Sequence, residues 1–138
     1  MSDAEIHTIG DATIERLELC HPGGNTAFRI RHNDKTVVYT GDFSHCDEHQ
    51  MRRLTEWMEN VDLGIVESTF TPQNYNANKS FGHTHWHAAG KIAMPAKKWL
   101  GVHHHHLADD HTLWLADQEL RATFSNGRLV KDGQTIWL

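Results

Sequence analysis

The hydrophobic period changes once along this 138-residue chain, near residue 46, and that change constrains the fold more than any single motif. Before it, apolar and polar residues alternate, as half-buried strands require. Glu5 to Ile9 is a short apolar–polar stretch that Gly10-Asp11 ends. Thr13 to Cys20 (TIERLELC) alternates through Ile14, Leu17 and Leu19, and His21-Pro22-Gly23-Gly24 breaks it. Thr26 to His32 alternates through Phe28 and Ile30, Asn33-Asp34 turns the chain, and Thr36 to Thr40 (TVVYT) is a β-branched run suited to a buried strand. Together these segments read as an antiparallel meander.

After the change, helical spacing takes over. Asp47 to Asn60 places Met51, Leu54, Trp57 and Met58 on one helical face. Leu63 to Val66 is a short apolar strand, and Thr71 to Phe81, rich in Asn, Ser and Pro, reads as a loop. His85 to Met94 is helix-like and stops at Pro95. Trp99 to Val102 is another short strand, and Asp109 to Ala122 is a helix opened by two aspartates. Gly127 to Leu138 is expected to be a hairpin around Asp132-Gly133. Strands first and strand–helix alternation afterwards predict an α/β (α+β) fold, a mixed sheet with helices on one face. With about 150 residues per domain as a guide, residues 1–138 form a single expected domain.

Composition narrows the class. The chain is 38% apolar and 22% charged, ordinary for a globular protein. Thirteen Lys+Arg against 18 Asp+Glu give −5, which argues against gripping a long nucleic acid. No apolar run approaches the ~20 residues of a membrane span, and MSDAEIHTIG lacks the layout of a signal peptide. Two cysteines, Cys20 and Cys46, are too few for a disulfide scaffold, so a reduced, cytoplasmic setting is expected. Thirteen histidines equal all lysines and arginines together, and imidazole is the commonest metal ligand near neutral pH.

Three polar residues fall just past strand ends, where α/β sheets collect ligands: His21, Asp42 and His103. Two imidazoles and a carboxylate suit zinc or another borderline divalent metal, although spacing alone also fits ordinary loop residues. Gly82-His83-Thr84-His85-Trp86-His87 is denser. On a strand its three histidines would share a face; on a helix only His83 and His87 would be neighbours. The flanking residues favour a helix start, which leaves His83 at a loop–helix junction as a general acid or phosphate contact. Glu67, after a short strand, either orients a histidine or caps a turn. His104 to His106 also read as a solvated loop. His7, His32, His45, His49 and His111, and the pairs Arg52-Arg53 and Lys97-Lys98, read as surface groups.

In this order the blocks LCHPGGNTAFRIRHNDKTVVYTGD, DLGIVESTF, FGHTHWHAAGKIA and KKWLGVHH resemble the C-terminal half of a metallo-β-lactamase-fold hydrolase. The resemblance is to the ribonuclease Z and cyclic-phosphodiesterase branch, and it covers Ile6 to Leu138. It implies half of a four-layer αβ/βα sandwich, with His21 and His103 as metal ligands, Asp42 as the metal-bridging carboxylate, and Glu67 on an acidic position of the site. It implies His83 as proton donor or phosphate contact, and zinc (or manganese or iron), up to two divalent metals per completed site. The family's His-x-His-x-Asp-His signature does not occur in this chain; HTHWHA only mimics it. The implied activity is hydrolysis of a small phosphodiester, with a non-catalytic metal-binding or assembly module as the alternative. The strands carry Ile14, Leu17, Leu19, Phe28, Ile30, Val37, Val38 and Tyr39, and alternation sends part of this set to the face away from the helices. A homodimer or a separate N-terminal half is the expected partner for that face; a reading frame truncated at its start would leave it bare.

Overall fold

The computed structural model describes residues 6–45, 47–78 and 81–138. Seven strands form one sheet in sequence order: β1 (Ile6–Ile9), β2 (Ala12–Leu19), β3 (Asn25–His32), β4 (Lys35–Tyr39), β5 (Leu63–Glu67), β6 (Trp99–Val102) and β7 (Gly127–Leu129). β1 to β4 pair antiparallel, and β4 to β7 pair parallel. The change in period along the sequence is thus a change from hairpins to crossovers. Helix α1 (Glu48–Trp57) joins β4 to β5, α2 (Pro72–Asn78) and α3 (Trp86–Ala93) join β5 to β6, and α4 (Asp110–Thr123) joins β6 to β7. All three crossovers step the same way across the sheet, so their preferred right-handedness puts the helices on one face. α3 accordingly packs on β5 and β6 with α1 and α4 beside it.

Local chemistry sets the helix ends. Asp47 caps α1 by accepting from the His49 amide at 2.8 Å, and Asp109 caps α4 by accepting from Thr112 at 2.8 Å. The core lies between sheet and helices. Leu17, Leu19, Val38, Val66 and Trp99 rise from the sheet to meet Leu54, Met58, Ile92 and Leu120. On the opposite face the register aligns Ile14 with Ile30 and Val37, and Phe28 with Tyr39 and Ile65. These residues stay partly or openly exposed, Ile30 at 36% and Tyr39 at 44%. The alternation therefore divides the strand residues as expected, with Leu17, Leu19 and Val38 inward.

Two expectations need correction. The Thr71–Phe81 stretch is not all loop, since α2 runs through it. Pro72 suits a first helical position, and Thr71 and Asn74 exchange side-chain-to-backbone hydrogen bonds of 2.9 and 3.3 Å that close the helix start. The final segment is not a hairpin. β7 arrives by the α4 crossover and pairs parallel with β6; the turn at Asp132-Gly133 exists, with Gln134 donating to the Lys131 carbonyl at 3.2 Å, but no strand follows it. Cys46, on which the expectation of reduced thiols partly rests, lies outside the described residues. No helix among the described residues is long and apolar enough to cross a membrane.

Candidate metal centre

The turns that follow β2, β4, β5 and β6 converge at one end of the sheet, and each carries a polar side chain to the same place. His21 follows β2 in a tight turn closed by Gly24 donating to the His21 carbonyl at 2.9 Å. The Gly23 amide donates to His21 Nδ1 at 3.2 Å and fixes the ring's rotation. Asp42 follows Gly41, which turns the chain out of β4 with φ +60°. Glu67 ends β5, and His103 follows β6 with φ +60°, a left-handed conformation that costs a non-glycine residue about 1–3 kcal/mol. The Thr69 hydroxyl offsets part of that cost by donating to the His103 carbonyl at 2.8 Å.

His83 reaches the cluster from the loop before α3. Gly82 makes this possible: with φ +87°, a Cβ there would lie 2.4 Å from Pro22 Cδ and 3.0 Å from the His21 ring. The His83 loop and the His21 turn thus touch backbone to ring, and the two imidazole centroids are 5.8 Å apart. His83 and His103 centroids are 4.9 Å apart. His103 Nδ1 lies 3.1 Å from Asp42 Oδ1, and His83 Nδ1 lies 3.5 Å from Glu67 Oε1.

Two overlapping donor groups result. One potential ligand atom each from His21, Asp42 and His83 lies within 4.8 Å of the others, and the same holds for Glu67, His83 and His103. The structure therefore gathers all five sequence-singled residues. It makes His83 the shared member, whereas the expected trio of His21, Asp42 and His103 is split between the groups. His85 and His87 belong to neither group. His85 instead caps α3, its Nδ1 accepting from the Ala88 amide at 3.4 Å, and burial, with the charges of His45, His87 and Lys91, pushes its pKa down to about 4. His104 turns away, its Nε2 lying 3.2 Å from the Val130 carbonyl oxygen.

Glu67 is fully buried and held on several sides. It accepts from the Thr84 amide at 2.8 Å and the Thr69 amide at 3.0 Å, and it contacts the Thr69 hydroxyl. Its own amide donates to Thr40 Oγ1 at 3.2 Å. Burial pushes its pKa up to about 8 despite those hydrogen bonds. Burial, more than the neighbouring His103, also lowers the pKa of His83. Sequence reasoning missed Thr40, Thr69 and Thr84, because threonines beside a strand end carry no distinguishing pattern. Thr69 and Phe70 also wall a cleft of about 230 Å³ that Trp86, His105 and Leu113 line beyond them.

No protein-family model matches the sequence, and no curated protein matches it. Solved structures do. The metallo-β-lactamase fold protein YhfI from Bacillus subtilis superposes with a TM-score of 0.78 at 30% identity, covering 96% of this chain and 52% of that one. The chain has the metallo-β-lactamase fold. The short form of human tRNase Z, with the same fold, matches with a TM-score of 0.70 at 16% identity, over 95% of this chain and 45% of that one. Zn(2+)-bound PqqB from Methylobacterium extorquens gives 0.70 at 12% identity, over 100% and 55%. The chain spans about half the length of these metallo-β-lactamase-fold neighbours. The fold expectation drawn from the sequence blocks is thereby met.

The donor set suits a borderline divalent metal. It mixes imidazole nitrogens with carboxylate oxygens, and His83 Nδ1 is buried without a hydrogen-bond partner.

Proposed function

We propose that this chain is one half of a metal-dependent hydrolase that cleaves a small phosphodiester, at a site completed by a second copy or by a separate N-terminal half. The observation that carries the reading is the convergence of His21, Asp42, Glu67, His83 and His103 from separate turns into two donor groups that share His83. His21, Asp42 and His103 would hold up to two divalent metals, zinc or alternatively manganese or iron, with His21 and His103 in different donor groups. A bound divalent ion supplies Lewis acidity toward a phosphoryl oxygen and lowers the pKa of a coordinated water.

The chain's own groups do the rest. Asp42 sits between the halves of the cluster, 3.1 Å from His103 and grouped with His21, which suits a carboxylate that bridges. His83 presents an imidazole that can donate a hydrogen bond to a phosphate oxygen or hand a proton to the leaving oxygen. Glu67, pinned by the Thr69 and Thr84 amides, orients His83 from 3.5 Å. The net charge of −5 favours a small substrate over a long polyanion. YhfI and tRNase Z are about twice as long as this chain, and no His-x-His-x-Asp-His occurs here, so further ligands would come from the completing copy or half.

Turnover of bis(p-nitrophenyl) phosphate with added zinc or manganese tests the reading. We expect metal-dependent release of p-nitrophenol, slowed roughly 10²- to 10⁴-fold in His83→Ala. Absence of turnover with every metal, by a protein that still binds metal, would support the non-catalytic module instead.

A further inference from the structure

Asn25 links the turn that carries His21 to the turn that carries Asp42. It opens β3 four residues after His21, and the Gly24–His21 hydrogen bond of 2.9 Å makes that connection short and stiff. Its side-chain amide donates to the Thr40 carbonyl at 2.7 Å. The β3–β4 ladder stops at the Phe28–Tyr39 pair, so the Thr40 carbonyl lies past the last ladder pair, and Asn25 bonds it in place of a strand partner. The chain then swings outward at Gly41. The Asn25 amide lies so close to Gly41 that a Cβ there would stand 2.5 Å from Asn25 Oδ1 and 3.2 Å from Cγ. Asp42 is the next residue.

Thr40 extends the link. It is fully buried, its hydroxyl donates to the Gly41 carbonyl at 2.9 Å, and the same oxygen accepts from the Glu67 amide at 3.2 Å. One side chain on β3 thus fixes the carbonyl immediately before the Gly41-Asp42 turn, on a residue that also fixes Glu67.

We propose that Asn25 is the positioning residue that sets the separation of His21 and Asp42, and so the affinity of the cluster for a divalent cation. This rests on reading the cluster as a metal centre. Asn25 touches no metal itself; it acts through Thr40 and Gly41. Outer residues that orient metal ligands commonly change affinity by roughly 10- to 100-fold when altered.

The test is cobalt(II) titration of the purified full chain, followed by visible absorption, for wild type, Asn25→Asp and Asn25→Ser. Asn25→Asp keeps the shape but turns an oxygen toward the Thr40 carbonyl; Asn25→Ser removes the reach without adding charge and serves if the aspartate variant does not fold. Asn126→Asp is the control. Asn126 also donates its amide to main-chain carbonyls, those of Met94 and Ala96 at 3.1 and 2.8 Å, but at the opposite end of β6 and β7. We expect both Asn25 variants to bind cobalt(II) at least tenfold more weakly than wild type, the aspartate doing so despite its extra negative charge. Asn126→Asp should lower the melting temperature yet keep wild-type affinity. Wild-type affinity in both Asn25 variants would overturn the proposal, as would equal weakening in Asn126→Asp.

If wild type itself takes up no cobalt(II), the metal reading fails, and the positioning role is judged on the metal-free protein. The imidazole nitrogen resonances of His21 should then shift in both Asn25 variants and hold still in Asn126→Asp. Unshifted His21 resonances would overturn it.

Discussion

Removing the Glu67 carboxyl tests whether the strand-end cluster is built around that buried group. Glu67→Ala leaves the Thr84 and Thr69 amides without their acceptor, and Thr84 is fully buried where water cannot replace it. Each orphaned amide costs about 1–3 kcal/mol, so a loss of about 2–6 kcal/mol is expected at pH 6. The pH dependence sharpens the test. The Glu67 pKa is raised from 4.5 to about 8, so its contribution to stability is full below pH 4.5 and is lost as pH rises through 8. Wild type should therefore weaken between pH 6 and pH 8, by at most about 2.7 kcal/mol at 1.36 kcal/mol per unit, while Glu67→Ala lacks that term. The destabilisation caused by the mutation must shrink with rising pH. Urea unfolding of chelator-treated protein at both pH values measures it. A loss below about 0.5 kcal/mol at pH 6, or one that grows toward pH 8, would refute the reasoning.

Other perturbations probe separate links. Gly82→Ala places a Cβ against Pro22 and His21 at a left-handed backbone position, so cobalt(II) affinity should fall and stability drop by about 1–3 kcal/mol, read by titration and urea unfolding. Leu54→Ala empties a fully buried site between α1 and the sheet and should cost about 2–5 kcal/mol in the same unfolding assay, with the fold retained. The exposed apolar face holding Ile30 and Tyr39 is expected to pair two copies. Light scattering should give twice the 15.8 kDa chain mass, and Ile30→Lys with Tyr39→Lys should return it to one; a soluble wild-type monomer at micromolar concentration would contradict pairing.

The fold was legible wherever one local signal met one structural need. Alternation in TIERLELC and TAFRIRH, the β-branched TVVYT run and the aspartates Asp109 and Asp110 that open α4 all lie where their chemistry places them. α2 was hidden because its asparagines look like loop residues, while its closure depends on a reciprocal Thr71–Asn74 bond. The terminal hairpin failed for the converse reason. Asp132-Gly133 makes a real turn, but a turn does not supply a second strand.

In the site, His21, Asp42 and His103 were legible as polar residues at strand ends. The sharing of His83 between both donor groups was not, because it depends on the approach of Gly82 to Pro22, two segments 60 residues apart. Thr40, Thr69 and Asn25 stayed invisible, since their roles lie in hydrogen bonds to the backbone of segments distant in sequence.

The central claim is that the converging strand-end residues bind a divalent metal. Elemental analysis of the desalted chain after zinc loading, beside His21→Ala and Asp42→Ala, tests it most directly. The account predicts bound zinc in wild type, lost in both variants, and weakening as pH falls, because imidazole binds metal only when deprotonated. Equal zinc in all three proteins would contradict it and would assign the metal to the exposed histidines after β6.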